Sequence, residues 1–174
     1  LRPTNGSIFI ANTGRALSVV DNPGASYTVT TETAHGFAVN DLVRAQRFTY
    51  SGGPATVWQS DLTVTGVADS LHFTGTLRAT YTAPAAGMEF IRLGSTSDAS
   101  RQGSIYLTAD DTNAPYINIL SGVAAWTDWG TAGKTRLRIG DLNGICGYVA
   151  SIFGLCAGDT GAEAAAAGAL SDAR

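Results

Sequence analysis

Two tryptophans and an acidic residue form the first candidate site in the sequence. Trp126 and Trp129 lie three residues apart, and Asp128 lies between them. Aromatic rings in a loop stack on sugar rings, and a neighbouring carboxylate accepts hydrogen bonds from sugar hydroxyls. Such rings more often plug the end of a barrel or fill a subunit contact. We favour packing, and keep a sugar platform of Trp126, Asp128 and Trp129 as the ligand-binding hypothesis.

The same stretch matches a phosphate-binding loop at all but one position. In DWGTAGKT, residues 128–135, Gly133, Lys134 and Thr135 are in place, but Asp128 stands where the first glycine belongs. That loop binds phosphate only between a strand and a helix, because the amino end of the helix supplies the N–H groups. The next residues, TRLRIG, alternate as a strand. We therefore expect no nucleotide cofactor.

Metal-binding and catalytic patterns are sparse. The acidic turn Asp110-Asp111-Thr112-Asn113 offers oxygen atoms, but calcium needs six to eight of them, and these residue types commonly form turns. The two histidines, His35 and His72, occur without a motif that would supply a catalytic partner. We expect no metal site, no cofactor and no enzyme activity.

Short alternating runs between turns rich in Gly, Asp, Asn and Pro fill most of the chain. Alternation of period two puts one side of each run on a core and the other in water. The sequence therefore predicts an all-β fold of antiparallel strands in a sandwich-like or barrel-like module. Strands are expected at residues 7–11, 16–20, 26–31, 41–48, 57–67, 70–80, 88–94, 103–109, 115–120 and 134–140.

Two local expectations follow from this pattern. In the DNPG turn at residues 21–24, Pro23 fixes one φ angle and Gly24 tolerates a positive one. In the strand at 134–140, Arg136 and Arg138 are predicted to face solvent, opposite Leu137 and Ile139.

Composition indicates a chain that packs against copies of itself. It is 44% hydrophobic and only 14% charged, with 21 glycines in 174 residues. The net charge of -3 and the scattered Lys and Arg residues leave no basic field, so nucleic acid is not an expected partner.

The sequence contains no run of eighteen or more apolar residues, so we expect no membrane-spanning helix. The chain begins at Leu1 rather than Met, and we expect it to be a piece of a longer polypeptide.

Four blocks of the sequence resemble a β-rich module of tail fibre and tail tip proteins from tailed bacteriophages and prophages. They are AHGFAVNDLVRAQRF, QSDLTVTGVADSLHFTGTL, AGMEFIRLGSTSDASRQGSIYLTADDTNAPYINIL and WGTAGKTRLRIGDLNGI, which together cover roughly residues 34–145. The resemblance implies a structural or host-attachment role in the virion, outside the cell, with no enzyme activity.

The resemblance also implies partners: other copies in a homotrimer, other tail proteins, and a glycan or protein receptor on the bacterial surface. We expect the contacting loops at residues 49–56, 95–102 and 125–133. The alternative functions are a carbohydrate-binding module and a tailspike-like glycan depolymerase, which needs two carboxylates in one cleft.

Residues 1–144 are expected to form the β-rich module. Within it, residues 1–33 and 92–144 would share one sheet unit, and 34–91 would be an inserted β subdomain. Residues 145–174 are rich in Gly and Ala and are expected to connect to the rest of the protein, with helical preference at 161–169. Cys146 and Cys156 could pair or could be two small buried hydrophobes, and we favour free thiols.

Overall fold

A computed structural model describes residues 13–49, 56–109, 111–129 and 131–158. Within these ranges the regular structure consists of ten β-strands and three single 3-10 turns, which confirms the predicted all-β class. The strands are β1 Thr13–Asn22, β2 Ser26–Thr31, β3 Asp41–Thr49, β4 Thr56–Val67, β5 His72–Leu77, β6 Glu89–Ser95, β7 Ser104–Thr108, β8 Tyr116–Leu120, β9 Thr135–Asp141 and β10 Phe153–Ala157.

Alternation located nine of these strands within a few residues, because each is a run of β-branched and aromatic residues closed by turn formers. Strand β10 was not predicted. The expected strand at 7–11, the helical segment at 161–169 and most of the loop at 49–56 lie outside the described residues. The DNPG turn follows the expectation, since Gly24 has a φ angle of +79°.

The chain divides into two units, Leu1–Arg92 and Leu93–Arg174. In the first, six strands close into a barrel in the order β1, β2, β5, β4, β3, β6, and β6 pairs back with β1. The inward-facing side chains of alternate positions form its core. They include Ala16, Tyr27, Val29, Phe37, Val43, Ala45, Leu62, Val64, Phe73, Met88 and Phe90.

The second unit, which we call the sheet unit, contains a four-stranded sheet in the order β10, β9, β8, β7. The sheets thus group the strands differently from the expected subdivision. Strands β1 and β2 belong to the barrel with β3–β5, as in the pairing of Val29 with Phe73, and do not join the strands after residue 103. The sheet also extends through β10, past the expected end of the module at residue 144.

Arg136 of β9 is exposed as predicted, but Arg138 and Ile139 are oriented in the reverse of the predicted way. Arg138 is only 5% exposed, whereas Ile139 is 45% exposed, so the expected orientation of this pair was wrong. The exposed face carries seven large apolar side chains and is called the apolar face below. Its members are Ile105, Leu107, Ile117, Ile119, Ile139, Phe153 and Leu155. Arg138 lies on the other face because Tyr116 and Asn118 cover its guanidinium.

The expectation of free thiols was also wrong, because Cys146 and Cys156 form a disulfide with a Cα–Cα distance of 6.6 Å. The reason is β10: its antiparallel pairing with β9 turns the chain back and places Cys156 opposite Arg138, within disulfide range of Cys146. Among the residues that the structure describes, no helix is long and apolar enough to cross a membrane.

Candidate functional site

The loop between β8 and β9 carries the three predicted site residues, and Asp128 holds its conformation. Trp126–Asp128 form a single 3-10 turn. One carboxylate oxygen of Asp128 accepts the backbone N–H groups of Ala124 and Ala125, each at 2.9 Å. The other oxygen lies 3.9 Å from the Nζ atom of Lys134. The carboxylate therefore positions the start of the loop through one oxygen and lies near a cation through the other.

Trp129 packs on the sheet unit through Tyr106 of β7. The two ring centroids are 5.0 Å apart and the planes meet at 63°, an edge-to-face contact. Tyr106 contacts Tyr116 of β8 in the same way, at 6.1 Å and 67°. Trp126 and Trp129 are both half-buried. The structure thus joins Trp129 to two tyrosines that sequence reasoning missed, and the three rings form a row on the polar side of the sheet.

A single carboxylate links the two tyrosines. Asp111 accepts a hydrogen bond from the Tyr106 hydroxyl and, through the same oxygen, one of 3.2 Å from the Tyr116 hydroxyl. Burial, followed by the nearby charge of Asp111, raises the pKa of Tyr116 to about 12. Tyr116 therefore stays protonated and keeps donating its hydrogen bond at any pH near neutral.

Arg138 completes the row beneath Tyr116. Its guanidinium carbon lies 3.7 Å from the centroid of the Tyr116 ring, a cation–π contact. Its Nε atom donates to the Oδ1 atom of Asn118 at 2.8 Å. Burial lowers the pKa of Arg138 from its ordinary value, although a guanidinium remains charged at neutral pH. The Nδ2 atom of Asn118 is buried and has no hydrogen-bond partner within the described ranges.

The second predicted contact loop, at residues 95–102, lies beside the loop between β8 and β9. The backbone N–H of Ser95 donates to the Val123 carbonyl at 3.1 Å, and the N–H of Val123 donates to the Gln102 carbonyl at 3.1 Å. The Gln102 side chain closes the loop by donating to the Ser95 carbonyl at 2.8 Å. Both ends of the loop at 95–102 are therefore fixed to Val123, near the start of the loop between β8 and β9. The third contact loop falls mostly on residues 50–55, outside the described ranges.

The histidines occupy structural positions in the barrel. The Nδ1 atom of His72 lies 2.8 Å from the Asp69 carboxylate. The same carboxylate accepts the backbone N–H groups of Leu71 and His72, which is the geometry of a capped turn. The bond from Leu71, followed by the one from the His72 side chain, lowers the pKa of Asp69. His35 is 1% exposed and stacks on Phe37 in the barrel core.

Two other acidic residues of the sheet unit make local hydrogen bonds. Asp98 caps the 3-10 turn Ala99–Arg101, and Asp141 accepts from the backbone of Asn143 and the hydroxyl of Ser151. Within the described ranges no three His, Cys, Asp or Glu side chains come together in a way that could hold a metal ion. The sequence resembling a phosphate-binding loop continues into β9, without the helix that phosphate binding requires.

The loop between β8 and β9 and the row of rings together form the candidate binding site. Its chemistry is that of aromatic edges, two tyrosine hydroxyls and a cation held under a ring. Comparisons with protein-family models, with curated proteins and with solved structures each found no match to this chain.

Proposed function

We propose that this chain is a structural, host-contacting component of a phage tail appendage, assembled as a homotrimer and displayed on the virion outside the cell. The observation that supports this most directly is the junction of Ser95, Gln102 and Val123, which fixes two predicted contact loops side by side. A rigid β scaffold that holds adjacent loops is suited to binding a surface.

Two further features agree with this role. The blocks that resemble phage tail modules lie within residues 34–145 and include the whole loop at 95–102 and residues 129–133 of the loop at 125–133. The disulfide between Cys146 and Cys156 suits an extracellular protein, since disulfides persist in oxidising surroundings. Other copies of the chain, other tail proteins and a glycan or protein receptor on the bacterial surface are the proposed partners.

Binding of the fluorescently labelled chain to a panel of intact bacterial cells tests the host-contacting role. We expect binding to at least one strain. Trp129→Ala, which removes the largest side chain of the ring row, should weaken cell binding about tenfold or more, as for a buried aromatic anchor. Thr127→Ala changes an exposed residue of the same loop and should leave binding unchanged. Circular dichroism checks that both variants fold. Failure to bind any strain would contradict the proposal.

A carbohydrate-binding module is the second candidate, favoured by the Trp129–Tyr106 ring pair beside the carboxylates of Asp111 and Asp128. A bacterial surface-glycan array with the Trp129→Ala control distinguishes this candidate, and an array without signal would count against it. The depolymerase alternative is tested by incubating the chain with host capsule, since it requires a reduction in polysaccharide size.

A further inference from the structure

The apolar face is exposed along all four strands of the sheet unit. Ile105 is 72% exposed and Leu107 is 54% exposed on β7. Phe153 and Leu155 on β10 are 66% and 64% exposed, and the members on β8 and β9 are 37–45% exposed. Single exposed apolar residues are ordinary on a protein surface, but a full sheet face of them is not.

The strand register makes the apolar face continuous. Leu107 lies opposite Ile117, Ile117 opposite Ile139, and Ile139 opposite Leu155, so one row of aliphatic side chains crosses all four strands. A second row begins with Ile105 opposite Ile119. Directly opposed side chains on one face of a sheet touch each other, so these rows leave no polar gap between them.

The exposed area is large enough for a stable interface. If a large apolar side chain has on the order of 200 Å² of accessible surface, the observed fractions leave roughly 700–800 Å² exposed on this face. A typical monomer has a largest apolar patch of about 300–600 Å². A standard protein interface buries about 800 Å² on each partner. The apolar face therefore has the size of an interface.

Its chemistry also limits the partner. None of the seven members is ionisable, so these side chains offer no charge with which to select a nucleic acid or an acidic or basic protein. It is complementary to another uncharged pleated surface, and sheet faces pack about 10 Å apart with interdigitating side chains. The same face of another copy meets that description.

We infer that the apolar face binds the same face of another copy of this chain. The inference rests on the proposed function in taking self-association as a property of the appendage, and it identifies the surface responsible. In the proposed trimer, each four-stranded sheet turns this face toward the shared axis. The loops at residues 95–102 and 125–133 are not part of the apolar face and remain available for contact.

Sedimentation of the full 174-residue chain over a concentration series tests this inference. We expect the wild type to exceed the mass of one protomer and Leu107→Glu to weaken association at least about 100-fold, since it buries an unpaired charge. Leu17→Glu is the matched control: Leu17 lies on β1 of the barrel and is 56% exposed, close to the 54% of Leu107. It should leave association unchanged.

A second variant of the apolar face, Ile105→Glu, replaces Leu107→Glu in the test if that variant does not fold. Circular dichroism checks the folding of both. A monomeric wild type overturns the inference, including the case in which another segment of the same chain covers the face. An equal effect of Leu107→Glu and Leu17→Glu also overturns it. The cell-binding test separates the two proposals. A monomer that binds cells overturns this inference and the proposed homotrimer but not the host-contacting role, whereas an assembly that binds no cell overturns only the host-contacting role.

Discussion

The Nδ1 atom of buried His35 accepts a hydrogen bond of 2.9 Å from the backbone N–H of Phe37. An atom that accepts cannot carry a proton, so this bond requires the neutral ring. The other ring nitrogen, Nε2, lies 3.2 Å from the Asp69 carbonyl and can donate to it. Burial is the main cause that lowers the pKa of His35 below its ordinary value of 6.5.

This relationship predicts that the barrel loses stability in mild acid. The unfolded chain binds a proton at His35 near pH 6.5 and the folded chain does so only at lower pH, so stability falls as pH drops below about 6.5. Urea unfolding at pH 7.5, 6 and 5 measures the decrease. His35→Gln should lose this part of the pH dependence. The control His72→Gln changes a half-buried histidine and should keep the decrease in stability. If this control lost the decrease, the assignment to His35 would be contradicted.

The Asp111–Tyr116 pair predicts a late tyrosine titration. Ultraviolet absorbance of tyrosinate should show one group that ionises near pH 12, and Tyr116→Phe should remove it. Asp111→Asn should lower the pKa of Tyr116 only in part, because burial is the larger cause. Since the folded pKa is raised, the associated stability is present below pH 10 and is lost as pH rises toward 12. Ionisation of Tyr116 near the ordinary tyrosine pKa of about 10 would contradict the burial of its ring.

Gly140 and Gly133 form a matched pair for a test of backbone constraint. Gly140 has a φ angle of +129°, and a Cβ atom there would overlap the Pro115 carbonyl and lie 2.7 Å from the Cα atom of Tyr116. Gly140→Ala should cost roughly 2–4 kcal/mol of unfolding free energy. Gly133 faces open space, and Gly133→Ala should change stability by less than about 0.5 kcal/mol. Urea unfolding measures both, and equal effects would contradict the close approach of β8 and β9.

Removing the disulfide should destabilise the sheet unit and leave the barrel nearly unchanged. The bond closes a loop of ten residues, for which chain-entropy arguments give about 2–3 kcal/mol. In Cys146→Ser/Cys156→Ser, hydrogen exchange should become faster in peptides of residues 104–157 but not in those of residues 26–77. Thiol titration of the unreduced wild type should find no free thiol, and two reactive thiols would contradict the bond.

The sequence located most strands because alternation and turn chemistry are local signals. It could not specify the sheet to which each strand belongs. The expected strands at 88–94 and 103–109 are neighbours along the chain, but β6 closes the barrel on β1, whereas β7 pairs with β8 in the other sheet. That choice depends on contacts between residues distant along the chain, such as Thr13 with Ile91.

The orientation of β9 shows a further limit of prediction from the sequence. Period-two alternation correctly separates Arg138 from Ile139, but the usual rule assigns the charged residue to solvent. Arg138 is buried here because Tyr116 lies over its guanidinium and Asn118 accepts its Nε–H. These partners lie on β8, some twenty residues away. The sequence contains no local signal of their approach.

The candidate site was only partly predictable. Trp129 and Asp128 were selected for their residue types, and both lie in the expected loop. Tyr106 and Tyr116 were read only as strand residues, although Asp111 lies five residues from each and could have indicated a shared partner. The disulfide was missed because the strand that aligns Cys156 with β9 has only five residues and none of the usual β-branched ones.

The bond between Cys146 and Cys156 also affects how the protein responds to proteases. The segment between the two cysteines includes Val149, which is 93% exposed and is the kind of residue that proteases reach. A cut there would leave two fragments joined through sulfur, and β10 would stay tethered next to β9. Residues after 158 would stay covalently joined to the residues before the cut, and only a reducing agent would release them.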